Sequence, residues 1–178
     1  MLGFIIGHEI THSLDETGFN YNKVGLKTNW WTNESMEKFE NLTECFVRLY
    51  DDHNEEWKEL FDGYRTLGEN IADNGGIRIA YHAYRLRLKQ LKHIGRTMNL
   101  LPWLSTNFTI DQIFFISFAR LFCKQETNEH AYELAEYDSH SPHKYRVNVV
   151  LGNFEQFSQS FHCSKNSTMN FNQRCIIW

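Results

Sequence analysis

The chain has 178 residues, 42% hydrophobic and 15% aromatic, enough to bury the core of a single domain over residues 1–178. Its 22 acidic and 18 basic residues give a formal net charge of −4. No basic block stands out, so nothing points to nucleic acid as a partner. The apolar opening Met1–Gly7 lacks the charged start of a signal peptide and is too short to span a membrane.

That opening runs directly into Gly7-His8-Glu9-Ile10-Thr11-His12. The apolar run Leu2–Ile10 predicts a helix, on which His8 and His12, four residues apart, share one face. Both imidazoles then reach a single ion. Glu9 is rotated off that face and is free to bond a water instead. This is the spacing of a zinc hydrolase with a glutamate as general base. The alternative is a buried helix with two hydrogen-bonded core histidines. Asp15, three residues after His12, is either a carboxylate that orients the imidazole or an ordinary acidic residue beyond the helix. A polar, glycine-containing loop to Lys27 follows. Trp30 and Trp31 are expected in the core. A helix is predicted over Ser35–Tyr50, with Met36, Phe39, Leu42, Phe46 and Leu49 near helical spacing.

The acidic segment Asp51 to Tyr64 is expected to wrap the surface. It leads into Leu67-Gly68-Glu69-Asn70-Ile71-Ala72-Asp73-Asn74-Gly75-Gly76, a predicted helix running to about Leu91. Glu69 and Asp73 share one face of it, while Ala72, Gly76, Ala80, Ala83 and Leu88 describe a core-facing stripe. Two carboxylates on one face cost stability unless something cationic lies near them. Either this is a solvated acidic face, or Glu69 binds a metal while Asp73 reaches back to a ligating histidine. The small, apolar neighbours favour the second.

Leu100–Asn107, with Pro102, reads as a linker, and Ile110–Cys123 as a buried helix, apolar on nearly all sides. Lys124–Glu136 is polar. In Asp138-Ser139-His140-Ser141-Pro142, the proline holds Ser141 extended and offers a rigid place from which to present His140. Arg146 opens the alternating Val147-Asn148-Val149, a short strand candidate, and Phe154–Phe161 reads as a last helix.

Four cysteines, at 45, 123, 163 and 175, contain no C-x-x-C, so a thiolate zinc site is not expected. Together with N-x-[ST] sequons at Asn33, Asn41, Asn107 and Asn166, they favour an oxidising, glycosylating compartment and extracellular exposure. The terminal Cys175-Ile176-Ile177-Trp178 formally reads as a prenylation signal. Tryptophan is not a usual last residue, however, and no polybasic run precedes it, so Cys175 is read as a disulfide cysteine.

Taken in order, Gly7–His12, Asn29-Trp30-Trp31, Thr66–Gly76, Asp111–Phe115, Asp138–Pro142, Phe161-His162-Cys163 and the terminal Cys175-x-x-Trp178 resemble the carboxy-terminal part of neprilysin-family zinc metallopeptidases over nearly the whole chain. The resemblance implies a mainly α, thermolysin-like (zincin) catalytic subdomain with a short β segment. It makes His8, His12 and Glu69 the ligands of Zn2+, Glu9 the general base, and Asp73 the carboxylate behind a ligating histidine. His140 becomes the oxyanion donor, Arg146 the holder of the substrate backbone, and Phe4, Ile5, Leu121 and Phe122 the lining of a hydrophobic pocket. The activity implied is hydrolysis of internal bonds in short peptides, on the amino side of hydrophobic residues. The alternative is a silent zinc-binding remnant. The family's Asn-Ala-Tyr substrate strand lies upstream of H-E-x-x-H and has no counterpart here. The chain is therefore expected to be truncated, its partner being the upstream part of the same ectodomain, with the parent secreted or on the extracellular face of the plasma membrane. The resemblance also pairs Cys45 with Cys175 and leaves Cys123 and Cys163 as free thiols. Phe122 stands where a tryptophan is common in the family.

Overall fold

The computed structural model describes residues 1–98, 102–165 and 167–177. The sequon at Asn166, the terminal Trp178 and the start of the linker at Leu100 lie outside them. The described residues form eight α-helices: α1 (Leu2–Thr11), α2 (Asn33–Asp52), α3 (Leu67–His93), α4 (Pro102–Asn107), α5 (Ile110–Ala119), α6 (Asn128–Tyr137), α7 (His143–Gly152) and α8 (Glu155–Ser160). Extended pairing among them is confined to one antiparallel bridge, Tyr21 with Lys27.

Helix α3 is the spine, with α1 antiparallel against it: Gly3 faces Ala80 and Gly7 faces Gly76, which brings His12 opposite Glu69. Glycines at both crossing positions let the backbones touch. A Cβ on Gly76 would stand 2.7 Å from the His8 nitrogen, and one on Gly7 2.9 Å from the Gly76 carbonyl oxygen. The first half of α3 is buried on nearly every side, and its last turns are exposed. Two apolar clusters flank it. One joins Phe39, Phe46, Leu49 and Tyr50 of α2 to Leu67, Ile71, Tyr145 and Val149. The other is aromatic, with Phe4, Tyr81, Phe114, Phe115, Phe118 and Phe154. The Cys45–Cys175 disulfide, with Cα atoms 5.7 Å apart, ties α2 to the C-terminal tail, and Cys123 and Cys163 are unbonded.

Several expectations need correction. Val147-Asn148-Val149 is helical, not a strand. Tyr145, Val149 and Gly152 are buried at helical intervals in α7, and packing overrides the β preference of the valines. The linker at Pro102 carries α4, proline being tolerated in a first helical turn. The polar stretch after Lys124 contains α6, whose Thr127 hydroxyl accepts from the His130 N–H. The buried-helix reading of Ile110–Cys123 holds for α5 only to Ala119, after which a 3₁₀ turn leads to an exposed Cys123. Trp30 is half exposed, while Trp31 packs on Phe19 and Phe39. Ala83 is exposed, so the core-facing stripe of α3 ends at about Ala80. Phe61 and Asn54 of the acidic segment are buried, so that segment does not simply wrap the surface.

Candidate metal centre

The seam between α1 and α3 places four chemically active side chains together. His8 Nε2 and His12 Nε2 lie 3.1 Å apart; Glu69 Oε2 stands 3.1 Å from the first and 3.4 Å from the second. Mutual distances of this size are the edges of a tetrahedron whose corners lie about 2 Å from its centre, the length of zinc–nitrogen and zinc–oxygen bonds. Glu69 Oε2 is buried and accepts no hydrogen bond, though a third imidazole nitrogen, His140 Nε2, is only 3.0 Å away. A buried carboxylate oxygen ringed by imidazole nitrogens is the kind of donor that a divalent cation takes. The residues fit a divalent ion with nitrogen and oxygen ligands. His8, Glu69 and His140 also form a possible donor set. The His140 ring lies farther from His8, however, with centroids 6.4 Å apart against 4.6 Å for His8 and His12.

The surrounding carboxylates fix the rings. The α1 helix gives way to a 3₁₀ turn at His12–Leu14 that swings Asp15 under the His12 ring, Oδ2 lying 2.6 Å from Nδ1. The other Asp15 oxygen accepts from the backbone N–H groups of Thr17 and Gly18. Asp73 is fully buried. Its Oδ1 lies 2.8 Å from His8 Nδ1, off the axis of a straight hydrogen bond, and Arg146 donates to both of its oxygens at 2.7 Å. Thus the solvated-face alternative for Glu69 and Asp73 fails. Burial pulls the His8 imidazole down, but Asp73 and Glu69 outweigh it and raise His8 to about 9. Burial works against ionisation of Glu69, yet His140 and His8 hold its carboxyl well below the usual range. The pocket is organised to hold positive charge.

His140 donates through its backbone N–H to Asp138 Oδ1, which also lies 2.7 Å from His140 Nδ1. The Glu69 and Asp138 carboxylates raise His140 above its ordinary value against the opposing effect of burial. The sequence reading does not single out Asp138; the D-x-H spacing is the signal that finds it. Glu9 is exposed beside the cluster and has no hydrogen bond or ion pair among the described residues.

Residues 1–177 match the model of peptidase family M13. The chain belongs to this family. Within M13 it is similar to Neprilysin-3 of Drosophila melanogaster, at 39% identity over 99% of this chain and 22% of that protein. It is 41% identical to human endothelin-converting enzyme-like 1, with the same shares covered. The M13 chain also superposes on the zinc metalloprotease Zmp1 of Mycobacterium tuberculosis in complex with an inhibitor, with a TM-score of 0.84 and 29% identity over 99% of this chain and 27% of that one. Its mainly helical architecture is therefore that of a zincin catalytic region. The chain spans about a fifth of the length of these curated relatives.

The expected substrate-binding residues are dispersed in this M13 chain. Phe4 is buried, edge-on to Phe118 and Phe122, while Ile5 and Leu121 are exposed. Arg146 is engaged by Asp73 and stacks 4.9 Å over the Phe122 ring. Asn33, Asn41 and Asn107 are exposed. No helix among the described residues is long and apolar enough to cross a membrane.

Proposed function

We propose that the chain is the zinc-binding part of an extracellular-facing metalloendopeptidase, with His8, His12 and Glu69 as the zinc ligands. The observation that carries this reading is the buried Glu69 oxygen, which accepts no hydrogen bond and lies at tetrahedral-edge distance from both H-E-x-x-H imidazoles. Zinc, when bound, supplies Lewis-acid polarisation of the scissile carbonyl and of the attacking water. Glu9 takes a proton from that water as its oxygen bonds to the carbonyl carbon, and delivers it to the amine that leaves as the C–N bond breaks. The imidazolium form of His140 carries N–H on both nitrogens. With Nδ1–H held by Asp138, its Nε2–H points to the Glu69 side of the site, where it stabilises charge developing on the carbonyl oxygen.

Asp73 and Asp15 hold the two ligating rings in orientation. Arg146 braces Asp73 and meets the substrate backbone beside it. Phe4, Ile5, Leu121 and Phe122 are assigned to the lining for a hydrophobic residue on the carboxyl side of the cleaved bond. Short peptides are the substrates, and the upstream part of the ectodomain completes the cleft. The Cys45–Cys175 bridge and the exposed sequons at Asn33, Asn41 and Asn107 support a secreted or membrane-anchored glycoprotein parent.

The uncovered outer face of α1, where Leu2, Ile5, Ile6 and Ile10 are all 45% or more exposed, favours a second reading, a module that binds zinc but is silent by itself. Both readings require one zinc per chain. Turnover of a short peptide by the zinc-loaded chain separates them. On the endopeptidase reading, Glu9→Gln keeps the zinc and loses about 10²–10⁴-fold in rate. Stoichiometric zinc without Glu9-dependent cleavage overturns that reading in favour of the silent module.

A further inference from the structure

Two motifs that carry the candidate centre also carry polar residues that the chemistry above leaves unused. Asn70 follows Glu69, and Ser141 follows His140. Each pair straddles the site in the same way, with one side chain turned toward the imidazoles and the next turned into the protein. The two inward-turned residues meet. The Ser141 hydroxyl donates to Asn70 Oδ1 at 2.7 Å, and both residues are 1% exposed.

The direction of this bond is fixed by its neighbours. Asn70 Nδ2 donates to the Thr66 hydroxyl at 2.8 Å, and Thr66, fully buried, passes its own proton to the Asp62 carbonyl at 3.0 Å. The amide nitrogen is thereby turned toward Thr66, which leaves the amide oxygen facing Ser141. Beyond Ser141, Pro142 locks the backbone with φ −53°, and its carbonyl accepts the Tyr145 N–H that opens α7. On the other side, the His140 ring faces Glu69 across 3.0 Å and is held from behind by Asp138, which is itself partly exposed on the same loop and cannot set the distance from that loop to α3. Apart from the His140–Glu69 ion pair, whose length is the quantity at issue, Ser141 to Asn70 is, among the described residues, the one side-chain hydrogen bond joining 138–142 to α3.

We propose that Asn70 and Ser141 are a positioning pair. Their buried bond sets the distance of His140 Nε2 from Glu69, and so from the ion. The inference deepens the zinc-site reading and rests on it for its consequence, but the placement of His140 is measurable without metal. Neither residue touches substrate or ion; both act through His140.

The test uses the 178-residue chain loaded with cobalt(II), whose hyperfine shifts fall with the cube of distance from the ion and so report where each ring stands. In Ser141→Ala the His140 ring-proton shifts are expected to be at least halved, with those of His8 and His12 unchanged. Asn70→Asp, which keeps the accepting oxygen, retains wild-type His140 shifts. A purely structural bond would lower the melting temperature and leave all three rings in place. Unchanged His140 shifts in folded Ser141→Ala overturn the proposal. In the ion-free chain, the nuclear Overhauser contact between His140 Hε1 and the Glu69 methylenes is expected to vanish in Ser141→Ala, and its persistence overturns the proposal whatever cobalt does. Failure of wild type to bind cobalt stoichiometrically sinks the metal reading instead, and the ion-free measurement still decides the positioning pair.

Discussion

The seam between α1 and α3 and the aromatic cluster beside it solve different problems with different residues. At the seam, backbone touches backbone: Gly7 and Gly76 supply no side chain, and what crosses the interface is imidazole and carboxylate. In the cluster, the Phe115 ring lies within 5.3–5.8 Å of Phe114, Tyr81, Phe157 and Phe154 and is 1% exposed. Ring burial is non-directional and yields free energy in proportion to area. Ion ligation tolerates displacements of only a few tenths of an ångström. The fold keeps the two apart: rings hold the helices together, and glycines set how closely two of them approach.

The largest effect that tests this separation is expected in the cluster. Phe115→Ala removes a ring touching four others and is expected to cost about 3–5 kcal/mol, read by urea denaturation. Zinc affinity of the folded fraction should stay at the wild-type value. A parallel loss of affinity would mean that the rings also set the seam.

The converse change is Gly76→Ala. One methyl group there meets the His8 nitrogen at 2.7 Å and the Phe4 carbonyl oxygen at 3.0 Å, backbone atoms that cannot rotate aside. Overpacking is expected to cost about 1–3 kcal/mol. Because α1 can yield only by moving away, zinc affinity should fall more than proportionately, by about tenfold or more, against none for Phe115→Ala. Titration with a competing zinc indicator reads the affinity. Retained affinity would show that the glycine contact is not what fixes the ligand distances.

The same contrast explains what was legible in the sequence. The centre was readable because its geometry is local: four-residue spacings place His8 with His12 and Glu69 with Asp73 on single helix faces, whatever the rest of the fold does. The place of Asp15 depends on whether the chain keeps turning after His12, and the 3₁₀ turn brings its carboxylate 2.6 Å from His12 Nδ1. Val147-Asn148-Val149 misled because three alternating residues fit a strand as well as a helix. Only the burial of Tyr145, Val149 and Gly152 reveals the period. The glycine contact was also hidden. In the sequence Gly76 belongs to an apolar stripe, and nothing in one helix says that a backbone lies against it. Helix α6 went unread because, of its ten residues, only Ala135 is buried.

The smallest effect is the most selective. In Asp15→Asn the side-chain oxygen can still accept from Thr17 and Gly18 N–H, so the turn after α1 should survive with nearly wild-type stability. The amide nitrogen then faces His12 Nδ1 where the carboxylate stood. An amide nitrogen donates rather than accepts, so Nδ1 must present its lone pair and the ring proton moves to Nε2. Nε2 is the atom that faces His8 and Glu69, and a protonated nitrogen cannot ligate. Zinc affinity should drop by about tenfold while the denaturation midpoint barely shifts. If both stay at wild-type values, Asp15 serves the turn alone. A fall in both would mean that the turn itself, rather than the tautomer, holds His12 in place.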